Sequence, residues 1–105
     1  MSKYDKKSNR WIAIEVAKAT GKRVSVATEF HDGDGILVYP HSNQINFDPC
    51  NNHDDAYPVI EGSDMVLVVN GTACISELGI KYQCEENLLR SAMICFLKMK
   101  ESENG

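Results

Sequence analysis

The sequence lacks the features that direct a protein out of the cytoplasm or into a membrane. No charged-then-apolar leader opens the chain, and no apolar run approaches the roughly 20 residues that a membrane-spanning helix requires. The four cysteines include no Cys-x-x-Cys pair, so we expect them to be free thiols in a reducing compartment. These absences predict an intracellular protein that has no membrane association.

Sequence patterns for bound ions are incomplete. Cys50 and His53 have the spacing of metal ligands, but no second pair lies at zinc-finger distance. A calcium loop beginning at Asp32 would need Glu at its twelfth position, where the chain has Asn43. A metal is therefore not expected, although a site can be imagined among five side chains: His31, Asp32, Asp34, Asp48 and His53.

A constellation for catalysis is missing as well. Cys50 together with His31 or His53 is the combination that could act as nucleophile and base, and it lies in no known nucleophile motif. Gly33 and Gly35 are not followed by the Lys-Ser of a phosphate-binding loop. The sequence predicts a protein that is not an enzyme and has no cofactor, with a metal-dependent hydrolase as a remote alternative.

The chain has too little clustered positive charge to wrap a nucleic-acid duplex. Its net charge is −4, and phosphate contacts need grouped Lys and Arg. Acidic residues collect in the middle of the chain: Asp32, Asp34, Asp48, Asp54, Asp55, Glu61 and Asp64. Basic residues cluster near the N-terminus, where a solvated helix end explains them more simply than a phosphate-binding patch: Lys3, Lys6, Lys7, Arg10, Lys18, Lys22 and Arg23.

The amino-acid composition is that of an ordinary globular domain. The chain has 105 residues, of which 43% are hydrophobic and 25% charged, so one core can form without disulfides or metals. We expect a disordered tail over residues 1–7 and one domain over 8–102. Periodicity and turn residues predict helices over 8–20 and 53–61, capped by Ser8 and Asn52, and a final helix beginning at 85–87. Ile12, Val16 and Ala19 form the predicted buried stripe of the first helix. Strands are predicted over 22–29, 36–39, 44–47 and 80–84, with a hairpin over 65–75.

The predicted fold class is α+β, a mainly antiparallel sheet built from hairpins with three helices packed on it in an αββαββα-like sandwich. Asn70-Gly71 favours a two-residue type I′ hairpin, in which both central residues have positive φ. The final helix is apolar around much of its circumference, more than one sheet contact would cover. That surplus predicts self-association, most simply as a homodimer.

Two segments resemble the NinX-like proteins of tailed bacteriophages. Asn46–Glu61 is similar to a family turn of the form Tyr-Asp-Pro-Cys-Asn-Asn-Pro-x-Asp-Ala-Trp-Pro-Ile-Ile. Glu86–Lys100 is similar to a closing helix of the form Asn-Pro-Leu-Arg-Ala-Ala-Met-Ile-Val-Phe-Leu. This chain has Tyr57 where the family usually has Trp, and His53 where Pro is frequent. The resemblance implies a helix–sheet–helix sandwich encoded by a phage; it supplies no established molecular activity.

The candidate binding residues lie in these two segments. Asp48 and Asn52 can bond to their local backbone, and Tyr57 is predicted to point into the core. Arg90 is the charge embedded in the apolar final helix; it can snorkel, pair with Asp48 or Asp55, or contact a phosphate. The residues predicted to bind a ligand or partner are Asp48, Asn51, Asn52, Asp54, Asp55, Tyr57 and Arg90.

The function we expect is binding rather than catalysis. The resemblance implies a small phage accessory protein in the host bacterial cytoplasm, and proteins of this kind often inhibit a host defence system, as anti-CRISPR proteins do. The expected partner is a host protein, to which an acidic and aromatic surface binds. The alternative is an oligomer that sequesters a nucleotide signal, for which the basic N-terminal helix and Arg90 supply cations. Duplex nucleic acid and membranes are not expected partners.

Overall fold

The first helix begins at a serine cap, as the sequence predicts. In the computed structural model, which describes residues 3–25, 35–39, 45–68 and 70–104, helix α1 spans Asn9–Ala19. The Ser8 hydroxyl accepts a hydrogen bond from the backbone N–H of Trp11 at 3.0 Å, which satisfies one of the unpaired donors of the first turn. Gly21, with φ of 80°, follows the helix in the left-handed region.

The buried face of α1 differs slightly from the predicted stripe. Ile12 and Val16 are fully buried, as expected, whereas Ala19 is exposed. Ala13 and Ala17 take its place in the core, where their small side chains let α1 approach its neighbours closely.

The first sheet is antiparallel and has the strand order β1-β2-β3. Its strands are β1 Arg23–Val24, β2 Ile36–Tyr39 and β3 Ile45–Phe47. Alternation along β2 buries Ile36 and Val38 completely. Strands β2 and β3 are predicted correctly. Of the predicted strand 22–29, the described residues 22–25 form a strand only at Arg23–Val24; residues 26–29, and residues 31–34 of the predicted turn, lie outside the described residues.

Helix α2 spans His53–Gly62. Asn52 caps it, and Pro58 lies within it. Its buried residues are Ala56, Val59 and Ile60, which fall on one side of the helix at 100° per residue. Both the cap and the extent of this helix match the prediction to within a residue.

The second sheet is also antiparallel, with the strand order β4-β5-β6. Its strands are β4 Val66–Val68, β5 Thr72–Ile75 and β6 Ile80–Gln83, with a short 3-10 helix over Ser76–Leu78. The hairpin between β4 and β5 is confirmed, but its turn is not the predicted two-residue one. Val68 pairs with Thr72, and the N–H of Gly71 donates to the carbonyl of Val68 at 3.0 Å. The connection therefore has three residues, a length at which one left-handed glycine suffices.

Helix α3, Leu88–Asn104, lies at the centre of the molecule. Every residue from Ser91 to Leu97 is buried, because α1, α2, β5 and β6 all pack against this helix. The additional apolar surface that predicted a dimer is thus covered by other elements of the same chain, so this helix no longer indicates self-association. None of the described helices is both long and apolar enough to span a membrane.

The α+β class is confirmed, with a difference in layering. The described residues form three helices in the predicted alternation with strands. The strands make two separate three-stranded sheets instead of one; β1 and β2 of the first sheet pack on α1, and β5 and β6 of the second pack on α3.

The tip of the β4–β5 hairpin gives a test of this packing. A Cβ atom on Gly71 would lie 2.6 Å from the carbonyl oxygen of Cys84, whereas one on Gly79 would meet nothing within 4 Å. Both glycines have positive φ. We expect Gly79→Ala to lower the free energy of unfolding by about 1 kcal/mol through backbone strain alone, and Gly71→Ala by about 3 kcal/mol because a clash adds to the strain.

Urea denaturation of both variants measures this difference. Since the two glycines share the left-handed conformation, Gly79→Ala serves as the matched control for strain. Equal losses in the two variants would contradict the close approach of the hairpin tip to the β6–α3 junction.

Candidate functional site

The turn before α2 is built from its own polar side chains. The carbonyl of Asp48 accepts hydrogen bonds from the N–H groups of Asn51 and Asn52, at 3.2 and 2.8 Å. The side-chain amide of Asn51 donates to both carboxylate oxygens of Asp48, at 3.2 and 3.3 Å. Pro49 and Cys50 are buried beneath the turn. The Asp48 side chain therefore bonds within the turn to the side chain of Asn51, whereas the sequence predicted a bond to the local backbone.

Two further candidate residues join this turn to the helix. The side-chain oxygen of Asn52 accepts from the N–H of Asp54 at 2.9 Å, as a helix cap does. The carboxylate of Asp55 accepts from the N–H of Asp48 at 2.9 Å, a charge-assisted bond that holds the turn against the first turn of α2. Asp48, Asn51, Asn52 and Asp55 therefore maintain the fold.

Tyr57 faces solvent, and the prediction that it points into the core is wrong. Its side chain is 48% exposed, and its ring lies against that of His53, with centroids 5.5 Å apart and planes 36° from parallel. The reason is helical geometry: α2 buries Ala56 and Ile60, and Tyr57 lies about 100° around the helix from its neighbour Ala56.

Two carboxylates lie on the same side of α2 as this aromatic pair. Asp54 and Glu61 are exposed, and at 100° per residue they fall with His53 and Tyr57 within roughly 100° of arc. α2 contains no Lys or Arg. We call these four residues, His53, Asp54, Tyr57 and Glu61, the acidic–aromatic face.

Arg90 binds the N-terminal segment and neither of the predicted aspartates. One guanidinium nitrogen donates to the side-chain oxygen of Asn9 at 2.7 Å. The other donates to the backbone carbonyls of Tyr4 and Lys7, at 3.0 and 2.5 Å. A planar guanidinium can satisfy several acceptors at once, so Arg90 ties the start of the chain to α3.

Residues 3–7 consequently pack against the domain. Tyr4 is 5% exposed and donates its phenolic proton to Glu101 at 2.7 Å, while Tyr82 donates to Asp5. Burial and the bond to Asp5 raise the pKa of Tyr82 to about 12; burial and the bond to Glu101 raise that of Tyr4 above its usual value. Residues 1–7 are expected from the sequence to be a disordered tail; in the structure Tyr4 and Asp5 make these contacts with the domain, and residues 1–2 lie outside the described residues.

The residues considered for metal binding and nucleophilic chemistry are not assembled into a site in the described part of the chain. That part holds no group of three or more His, Cys, Asp or Glu side chains placed to bind a metal. His31, Asp32 and Asp34 lie outside it. Cys50 is 1% exposed, so its thiol faces the core and not a substrate.

A groove that the sequence analysis missed opens between α1 and α3. Its volume is about 380 Å³, and its apolar lining includes Trp11 and Leu97. Three lysines from separate parts of the chain line it: Lys3, Lys18 and Lys100. Because these residues are remote in sequence, only a contact map between the two helices could have indicated the groove.

Comparison with known proteins adds no relative. The chain matches no protein-family model, no curated protein and no solved structure. The resemblance to the NinX-like proteins therefore stays a prediction that rests on the two sequence segments.

The hydrogen bonds of Arg90 predict a stability effect. Arg90→Ala should lower the free energy of unfolding by about 2–3 kcal/mol, because it leaves the carbonyls of Tyr4 and Lys7 without their charged donor. Arg90→Lys should recover only part of this loss, since an ammonium group lacks the guanidinium fork. Lys98→Ala is the control: it removes one exposed bond to a backbone carbonyl and should cost about 0.5 kcal/mol or less.

Chemical denaturation measures these losses, and limited proteolysis reports release of the N-terminal segment. If Arg90→Ala and Lys98→Ala lost equal stability, Arg90 would not hold the segment as described.

The four cysteines are free, and their environments predict two reaction rates. Burial raises the pKa of the Cys95 thiol to about 11, and Cys50 is also buried. Cys74 and Cys84 are partly exposed and should react first with a thiol reagent on the native protein, because the thiolate is the reactive form. Titration without oxidant should count two fast thiols natively and four after unfolding; a count near zero after unfolding would contradict free thiols.

Proposed function

We propose that this protein is a small bacteriophage accessory protein that acts by binding, and that it inhibits a component of a bacterial defence system in the host cytoplasm. Two similarities in sequence suggest the phage setting. The observation that carries the binding proposal is the acidic–aromatic face of α2, where an exposed tyrosine is bordered by carboxylates.

This face has the chemistry of a protein-binding surface. Tyrosine is enriched among the residues that contribute most to binding energy, since a large ring buries much area with few rotatable bonds. Asp54 and Glu61 would be complementary to a basic surface and would steer association with it. The partner we propose is therefore a host protein that presents clustered Lys and Arg, such as the nucleic-acid site of a defence nuclease.

The local structure supports this role by holding the face rigid. Asn52 caps α2, and Asp55 bonds to the preceding turn. Ala56, Val59 and Ile60 anchor the buried side of the helix in the core. A helix fixed in this way loses little conformational entropy when it binds, which favours affinity.

Removal of the face should abolish partner capture without unfolding the protein. We expect the triple variant Asp54→Asn, Tyr57→Ala, Glu61→Gln to fold with little change in stability, because all three side chains are exposed. Immobilised wild-type protein should capture a basic host protein from bacterial lysate, and the triple variant should capture at least about tenfold less. Quantitative mass spectrometry of the bound fractions measures this ratio.

A matched control uses exposed residues of the same kinds elsewhere. Glu77→Gln with Leu78→Ala alters an exposed carboxylate and a 55% exposed apolar side chain on the 3-10 helix, and it should capture like wild type. Heparin or about 0.5 M salt should release the partner, because the contact is between opposite charges. Capture that is unaffected by the triple variant, or by salt and heparin, would overturn the proposal.

A further inference from the structure

The groove between α1 and α3 combines an aromatic surface with convergent cations. Trp11, the single tryptophan of the chain, is half-buried in its lining. The ammonium group of Lys7 lies over the indole, 4.9 Å from the ring centroid, and the Tyr4 ring is 6.0 Å away at an angle of 52°. The volume, about 380 Å³, lies within the roughly 300–1,000 Å³ of small-molecule sites.

The electrostatic character of this groove is opposite to that of the whole chain. Three lysines and two glutamates line it, with Lys7 beside it, whereas the chain carries a net charge of −4. Glu101 accepts from both Lys3 and Tyr4, at 2.6 and 2.7 Å, so the charges of Glu101 and Lys3 offset each other, and Lys18, Lys100 and Lys7 outnumber the remaining carboxylate of the lining, Glu15. The groove therefore favours an anion over a cation.

Two of the lysines, Lys18 and Lys100, are weakly held and can turn to an incoming anion. Lys18 and Lys100 pair with Glu15 and Glu103 at 3.4 Å, and their side chains are 64% and 38% exposed. Exposed pairs of this kind contribute little to stability. A doubly charged phosphate could recruit both ammonium groups at little cost to the fold.

From this arrangement we infer that the α1–α3 groove is a nucleotide-binding site, in which a nucleobase packs against Trp11 and the phosphate is held by Lys18 and Lys100. Aromatic side chains bind bases through stacking that tolerates any base, and flexible lysines bind phosphate as point charges. The site is separate from the acidic–aromatic face of α2, so it goes beyond the proposed function.

The single tryptophan makes the test direct. The full-length protein is titrated at low salt with AMP, GMP, CMP and UMP in turn, with Trp11 fluorescence corrected for absorption by the nucleotide and calorimetry as a second readout. We expect saturable quenching by at least one of them, with a Kd between about 10 μM and 1 mM. The matching nucleoside, which lacks the phosphate, should bind at least about tenfold more weakly.

Paired variants assign the binding to the groove. Lys18→Gln with Lys100→Gln should weaken nucleotide binding at least about tenfold. Lys6→Gln with Lys81→Gln changes the net charge equally at two exposed lysines outside the groove and should leave the Kd within about twofold.

Three results would overturn the inference: no saturable binding of any of the four nucleotides up to about 5 mM, equal Kd values for nucleotide and nucleoside, or equal losses in the two lysine pairs. Inorganic phosphate that binds as tightly as the nucleotide would also overturn it, since the base would then contribute nothing. The Asp54, Tyr57 and Glu61 triple variant should retain nucleotide binding, so that failure of the groove and failure of the α2 face are distinguished.

Discussion

The structure depends on the burial of the middle of α3. From Ser91 to Leu97 every side chain is removed from solvent, so this helix needs cover around its whole circumference. α1, α2 and the sheet of β4–β6 supply that cover. The polar residue in this stretch is satisfied as well: the Ser91 hydroxyl donates to the carbonyl of Gly71 at 2.6 Å. That bond fixes the hairpin tip to the helix, and a buried hydroxyl left without it would cost about 1–3 kcal/mol.

Because the core is organised around one central helix, the outer helices expose surfaces of opposite character. α2 turns its apolar side to the core and leaves Tyr57 with two carboxylates outside. α1 also turns its apolar side to the core, and on its outer side Trp11 and Lys18 line a groove together with Lys100 of α3. The basic groove and the acidic–aromatic face are thus separate surfaces of one small domain, so the nucleotide and the protein partner that we propose would bind at different places.

Much of the local structure could be predicted from sequence, because it is decided within a few residues of chain. Ser8 and Asn52 cap their helices as expected, since a cap needs only a side-chain oxygen and the next turn's N–H groups. The candidate site was predicted less well. Arg90 is expected from the sequence to snorkel, to pair with Asp48 or Asp55, or to contact a phosphate, yet its partners are the side chain of Asn9 and the backbone carbonyls of residues 4 and 7. No periodicity encodes a contact between residues more than eighty positions apart.

The sequence by itself determined the α+β class, the alternation of helices with strands, and most element boundaries, because hydrophobic period and turn residues act locally. Tertiary structure alone decided which apolar surfaces pack against one another and which face water. In the folded chain, α3 is covered by other elements of the same chain, and the strands form two sheets. Trp11 and Lys100 line one groove, and Tyr57 is exposed. The physical reason is that burial is a property of the whole packed domain: a residue's neighbours in space, and not those in sequence, determine whether it faces water.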